Sequence, residues 1–214
     1  MKPFWLNREL MDKEQRLLQL CLEGHAKSAL YNQNPSSMMV AETARGSMDF
    51  SKALIAGLCS IGGIHAPLIE TWNVLMGAWD VDAILKNGGI VPGWGSSFDG
   101  KEWEPLDACL ALHWPDLYKR IEEVTAKLKK AGRDIKPNPS CWTAAVGIAL
   151  NLPLVILPWI FVTGRLDAWS IIILNVTAKQ MEPQKKPEPE RPKLDAATEA
   201  GRNYEAMFIN PKGN

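Results

Sequence analysis

An uncharged run in the second half of the chain is the feature that most constrains the fold. From Cys141 to Gly164 the sequence reads CWTAAVGIALNLPLVILPWIFVTG and contains no charged side chain. Such a run is long enough to span a bilayer, but Pro153 and Pro158 interrupt it. A proline inside a helix removes a hydrogen bond and clashes with the preceding turn. We therefore expect two short buried helices around a proline turn, in a soluble core and not in a membrane.

Helical patterns extend over most of the remaining chain. Residues 7–22 carry an apolar stripe with the period of an amphipathic helix. Residues 31–48 are polar and contain NQNPSS, which favours a loop. Asp49 or Ser51 can cap a helix that follows. Further helices are predicted over residues 67–79, 80–87, 105–112, 115–131, 139–150 and 164–178. Because no convincing strand alternation occurs, we predict an all-α fold.

The end of the chain has a different composition. Residues 179–214 include PQKKPEPERPK, which is rich in proline and charge. A segment of this kind cannot bury enough apolar surface to offset the entropy lost on ordering. We therefore predict a helical domain over residues 1–178, followed by an extended Pro-rich arm over residues 179–214.

Charge and cysteine usage exclude several classes of function. Lys and Arg together number 24, as do Asp and Glu, so no net charge attracts nucleic acid. The four cysteines form no CxxC pair and the three histidines lie far apart, so no metal site is expected. The first residues lack the apolar core of a secretory signal, which favours a cytoplasmic protein with reduced thiols. A nucleophilic pair of Cys141 with His65 or His113 is a weaker alternative to a buried core thiol.

Four segments, taken in their order along the chain, are more specific than any one of them. They read GGIHAPLIE, VPGWGSSF, KPNPSCWTAAVGIALNLP and FVTGRLDAWSIIIL. This order resembles the C-terminal half of citrate synthase and its relatives, including citryl-CoA lyases, across roughly residues 40–178. That family has a Gly-His motif, a PGFGH loop, a PNVD turn and a GR or AR motif in the same order. The resemblance implies a citrate-synthase-like helical fold, shortened to about half the usual length.

The resemblance assigns roles to particular residues. His65 matches the catalytic histidine that donates a hydrogen bond to the thioester oxygen. Arg165 matches an arginine that holds a substrate carboxylate. Arg191 could match a late arginine that reaches into the neighbouring subunit, although Arg202 is a rival for that position. The segment that matches the backbone loop around the adenine of CoA consists of Val91, Pro92, Gly93, Trp94 and Gly95. The ligand implied is CoA or acetyl-CoA.

The departures from the family pattern bear on its chemistry. Ser96 stands where the family has its loop histidine, and Ser140 stands where it has the aspartate base. Both serines would line the substrate site, but serine is no base at neutral pH without an activating partner. Loss of a general base costs about two to four orders of magnitude in rate. We therefore expect acyl-CoA recognition without ordinary citrate synthesis. Any remaining activity would be that of an acyltransferase or lyase acting on acetyl-CoA-type or citryl-CoA-type thioesters.

The same resemblance leaves two alternative functions open and implies that the chain pairs with a second copy of itself. The chain could be a non-catalytic structural or assembly protein that has repurposed the fold. It could also be a helper subunit whose missing half is another chain. The family dimerises through helices that match residues 49–79, where this sequence has small and apolar residues. A homo-oligomer, a dimer through these helices, is therefore expected.

Overall fold

The described part of the chain is built from helices. The computed structural model describes residues 8–31, 35–61, 66–95 and 100–181. These residues contain no strand beyond an isolated bridge between Trp94 and Pro137. The helices are α1 (Asp12–Tyr31), α2 (Pro35–Ser47), α3 (Phe50–Cys59), α4 (Leu68–Leu75), α5 (Val81–Lys86), α6 (Glu104–His113), α7 (Pro115–Lys130), α8 (Pro139–Ala149) and α9 (Leu157–Met181), with 3₁₀ turns at Lys101–Trp103 and Leu154–Ile156. The all-α prediction is confirmed.

Local sequence signals place several helix starts. The side chain of Asp49 accepts a hydrogen bond from the backbone N–H of Lys52, which begins α3 as predicted. Asp80 accepts in the same way from the N–H of Asp82 at the start of α5. Proline stands in the first turn of α6 and of α7, where its missing N–H would have no helical partner in any case. The boundaries of α3 to α8 therefore lie within a few residues of those predicted.

Two predictions of local structure are wrong. Residues 31–48, predicted as a loop, contain the helix α2, in which Val40 and Ala44 are fully buried. Burial of these apolar side chains outweighs the polar composition of the segment. The last helix begins at Leu157 and not at residue 164, because Pro158 falls in its first turn and does not interrupt it. The break in the uncharged run is the 3₁₀ turn Leu154–Ile156, which follows Pro153.

The stretch Leu154–Met181 has the length and hydropathy of a membrane span. The mean hydropathy of its most apolar 18-residue window is 1.4, and it is the only such helix in the described part of the chain. However, 44% of its most apolar window is buried inside the fold, and it carries the buried Arg165. Length and composition alone are weak arguments for a membrane span, so α9 fits the core helix of a soluble protein.

Two of the three hydrophobic clusters of the described residues join most of these helices. The larger cluster surrounds α8, in which every residue from Ser140 to Gly147 is buried. The smaller cluster joins α2, α3 and α9 around the fully buried Trp169. Gly57 of α3 lies directly against Val40 and Trp169, so α3 approaches α2 and α9 closely.

Gly57→Ala is expected to destabilise the protein. The added Cβ would lie 2.5 Å from Cγ2 of Val40 and 3.1 Å from Cζ3 of Trp169. Overpacking of this kind lowers the free energy of unfolding by about 1–3 kcal/mol, which urea denaturation would measure. Gly46→Ala in α2 is the control, because no atom lies within 4 Å of its added Cβ. That change should be neutral or stabilise by up to about 1 kcal/mol. Equal effects of the two changes would contradict the close packing of α3.

Candidate functional site

The glycine-rich loop and the turn before α8 are joined through their backbones. The N–H of Gly95 donates to the carbonyl of Lys136 at 3.0 Å. The N–H of Asn138 donates to the carbonyl of Gly93 at 2.9 Å. Trp94 and Pro137 form the isolated bridge between these two bonds. Two of the four segments that carry the family resemblance are therefore direct neighbours.

The conformation of the loop depends on its glycines. Gly93 has a φ of 88° and Gly95 a φ of 101°, both in the left-handed region that favours glycine. A Cβ on Gly93 would lie 2.3 Å from Cγ2 of Thr71. The buried Trp94 donates from its indole nitrogen to Oγ1 of Thr125 at 2.9 Å, which anchors the loop to α7.

The loop residues that are predicted to bind the nucleotide differ in their solvent exposure. Val91 and Trp94 are buried, as is the backbone of Gly93. Pro92 is half-buried, and Gly95 is exposed. A ligand in solution can thus reach Gly95 fully and Pro92 in part.

Ser140 lies in the first turn of α8. The side chain of Asn138 caps this helix, because its Oδ1 accepts from the N–H of Ser140 at 2.9 Å and from that of Cys141 at 3.4 Å. The N-terminus of a helix carries a partial positive charge, which stabilises a carboxylate. Ser140 is buried there and brings no charge. The position that the resemblance assigns to the family's base therefore holds a neutral hydroxyl.

Arg165 is a buried cation between α9 and α2. Its Nη1 donates to Oγ of Ser36 at 2.7 Å, and its guanidinium carbon lies 4.3 Å from the centre of the Phe161 ring. Burial lowers the pKa of Arg165 to about 10. The side chain is therefore protonated at neutral pH and places a fixed positive charge inside the fold.

His25 is a buried polar residue that the sequence analysis missed. Its Nε2 lies 2.7 Å from Oγ1 of Thr143, whose hydroxyl donates to the carbonyl of Pro139 at 2.8 Å. That geometry assigns the ring proton to Nε2, and the buried Nδ1 has no hydrogen-bond partner. The helical spacing of Leu17, Cys21 and His25 along α1 could have revealed it, since all three share the buried stripe.

His25 and Arg165 belong to one buried region. Both pack against Phe161, and the centres of the His25 and Phe161 rings are 4.6 Å apart. Burial holds the pKa of His25 well below its usual value, and the charge of Arg165 lowers that pKa further. Thr143, which binds the neutral imidazole, lies one helical turn after Ser140. The structure thus brings residues of α1 and α9 close to the first turns of α8.

Other predicted site residues lie outside the described part of the chain or in the core. His65, Ser96, Arg191 and its rival Arg202 lie outside the described residues, so their roles stay predictions. Cys141 is fully buried, and burial raises the pKa of its thiol strongly, as expected for a core cysteine.

His113 and the metal-ligating residues give no further site. His113 is exposed and packs edge-on against the ring of Trp114. Within the part of the chain that the structure describes, no three His, Cys, Asp or Glu side chains are placed to hold a metal ion.

Comparison with known proteins identifies the fold. No known family profile and no curated protein matches the sequence. The structure is similar to that of citryl-CoA lyase from Hydrogenobacter thermophilus, with a TM-score of 0.64 and 16% sequence identity. The match covers 97% of this chain and 80% of the lyase chain. The predicted citrate-synthase-like helical fold is therefore confirmed. The match extends beyond residues 40–178, and against this lyase the chain is not reduced to half the length.

The free energy of unfolding is expected to fall as the pH drops below about 6.5. The pKa of His25 in the folded state lies below its ordinary value of 6.5, so the unfolded chain binds more protons in that range. His25→Phe, which keeps a ring beside Trp103 and Phe161, should make the fall shallower between about pH 6.5 and pH 5. Denaturant unfolding at a series of pH values would measure it. His113→Gln, at an exposed position, should leave the slope unchanged; a slope that also survives His25→Phe would contradict the assignment to His25.

Proposed function

We propose that this protein binds the CoA end of an acyl-CoA thioester and does not carry out ordinary citrate synthesis. The observation that carries the proposal is the pair of backbone hydrogen bonds that joins Gly93 and Gly95 to Asn138 and Lys136. They hold a glycine loop in one conformation. Backbone groups held in this way bind a ligand without the entropy loss of ordering the loop. The structural neighbour is named as a citryl-CoA lyase, whose name specifies a CoA thioester.

The proposal gives Arg165 and His65 complementary roles. The buried charge of Arg165, held by Ser36, would bind a carboxylate on the acyl group. His65 would donate a hydrogen bond to the thioester oxygen, which is oxyanion stabilisation. Arg191 would contact substrate from the Pro-rich arm, in the manner that the resemblance implies. The protein would act in the cytoplasm, where CoA thioesters and reduced cysteines both occur.

Ser140 limits the chemistry that such a site could perform. Its hydroxyl lies buried at the start of α8, where the family pattern has a carboxylate base. An unactivated hydroxyl does not remove a proton from the methyl group of a thioester at neutral pH. Together with Ser96 in place of the loop histidine, this favours binding over carbon–carbon bond formation. A surviving activity would be that of an acyltransferase or lyase whose base comes from another residue.

Calorimetric titration with CoA and acetyl-CoA tests the proposal. We expect saturable binding, weakened roughly tenfold or more by Gly93→Ala, because the added Cβ would clash with Thr71 and distort the loop. Gly88→Ala is the matched control. Gly88 also has a positive φ, of 71°, but its added Cβ would meet no atom within 4 Å. Absence of binding at millimolar CoA, or equal effects of the two changes, would overturn the proposal.

The second candidate is a non-catalytic assembly protein, which would need a surface for self-association. Large apolar side chains of α3 and α4 are exposed, among them Ile55 at 56% and Ile69 at 53%. Leu58 and Met76 on the same two helices are also exposed. Exposed apolar groups of this size, when contiguous, mark interaction surfaces. We propose that α3 and α4 carry a homodimer contact, which an enzyme and an assembly protein could both use.

Ile55→Glu combined with Ile69→Glu is expected to convert a dimer into a monomer, because each change would bury a carboxylate without a partner. Sedimentation velocity would measure the mass. Leu112→Glu on α6, at a side chain that is 72% exposed, is the control and should leave the mass unchanged. A monomeric wild-type protein would contradict the dimer. A dimer that binds no CoA would favour the assembly function.

A further inference from the structure

The glycine loop is bonded at both of its ends to the segment between α7 and α8. At the end of the loop, the N–H of Gly95 donates to the carbonyl of Lys136 at 3.0 Å. At the beginning, the donor is a side chain. Nη1 of Arg133 lies 2.5 Å from the carbonyl oxygen of Gly89, and Nη2 lies 3.3 Å from that of Gly88. Residues 88–95 thus begin and end on contacts to one short segment, residues 133–136.

Two helix ends bring these groups together. α5 ends shortly before Gly88 and α7 shortly before Gly132, and the two glycines have a positive φ, of 71° and 78°. The N–H of the following residue, Gly89 or Arg133, donates at 2.9 Å to the carbonyl five residues earlier. This is the Schellman motif, which ends a helix with a left-handed residue. The two motifs place Arg133 beside the carbonyls of Gly88 and Gly89.

The guanidinium group of Arg133 suits this position. Its planar fork presents several N–H donors in fixed directions, so one side chain can bond two successive carbonyls. Those carbonyls lie beyond the last turn of α5, where the helix offers them no N–H. Arg133 is half-buried and forms no ion pair with any described residue. Its donors are therefore directed at the loop and not at a carboxylate.

We propose that Arg133 is a positioning residue for nucleotide binding, which holds the beginning of the glycine loop so that the loop keeps its binding conformation before the ligand arrives. This inference rests on the proposed binding of CoA and adds a residue that lies outside the VPGWG motif. If one end were released, the loop would adopt other conformations. The apparent affinity falls with the fraction of molecules that hold the binding conformation. Arg133 acts through the carbonyls of Gly88 and Gly89 and does not need to touch the nucleotide.

Hydrogen exchange of the unliganded full-length chain tests whether Arg133 holds the loop, because amide exchange reports local opening. Arg133→Met keeps the apolar stem and removes every donor, so the amides of Trp94 and Gly95 should lose most of their protection. Amides of α8 should keep theirs, since the core stays folded. Lys129→Met is the matched control, because Lys129 is exposed in the last turn of α7 and the change removes the same charge. Unchanged loop exchange in Arg133→Met, or an equal effect of Lys129→Met, would overturn the proposal.

Calorimetric titration with CoA tests whether this hold serves binding. The affinity should fall about fivefold or more in Arg133→Met, because fewer molecules hold the binding conformation, and it should not change in Lys129→Met. Arg133→Lys keeps the charge but replaces the planar fork by one ammonium group, so it should recover only part of the affinity. Full recovery would show that the charge alone matters, as in a direct contact with the phosphates of CoA, and would overturn the positioning role.

The outcomes separate this inference from the proposed function. A wild-type protein that binds CoA with an affinity that Arg133→Met leaves unchanged would overturn the positioning role and leave the proposed function intact. A wild-type protein that binds no CoA at millimolar concentration would overturn the proposed function. A loop that still opens in Arg133→Met would then make Arg133 a purely structural residue. Arg133→Gln, which keeps one donor group, replaces Arg133→Met in both measurements if that variant loses its native circular dichroism.

Discussion

The burial of α8 on all sides is the constraint on which the rest of the structure depends. A helix without charge or a polar face must be enclosed, because each exposed apolar side chain forfeits the free energy of its transfer from water. Neighbouring helices therefore close around it. Gly147 allows Leu157 of α9 and Trp72 of α4 to approach closely, since a Cβ there would lie 2.3 Å from Leu157 and 2.9 Å from Trp72. The C-terminal end of this helix is thereby held in place.

Two polar residues of this core, His25 and Arg165, each have a specific hydrogen-bond partner. The hydroxyl of Thr143 accepts a hydrogen bond from the ring N–H of His25 and donates one to the carbonyl of Pro139. Arg165 donates to Ser36 and packs over Phe161. A buried charge is costly in a hydrophobic core, and Arg165 retains its charge at neutral pH even though burial lowers its pKa.

The segment that leads into α8 joins the glycine loop to the neighbouring helices. The carbonyl of Lys136 accepts from the N–H of Gly95, and Pro137 forms the isolated bridge with Trp94. Thr125 of α7 accepts the hydrogen bond of the Trp94 indole. The conformation of the loop therefore depends on residues from separate parts of the chain.

The sequence by itself determined the features that depend on neighbouring residues. Helical periodicity predicted the all-α class. Asp49 or Ser51 was predicted to start α3, and the uncharged run was predicted to break at Pro153 and Pro158. The order of the motifs indicated the glycine loop and Arg165. Capping, proline geometry and periodicity each act within a few residues, so they can be read without the fold.

Only the tertiary structure decided the features that depend on distant contacts. It made residues 35–47 helical through the burial of Val40 and Ala44, and it placed His25 beside Arg165. It also joined the glycine loop to the turn before α8. These features involve residues separated by many positions in the chain. Their free energy comes from packing and charge interactions that exist only once the helices are assembled, and no local pattern encodes them.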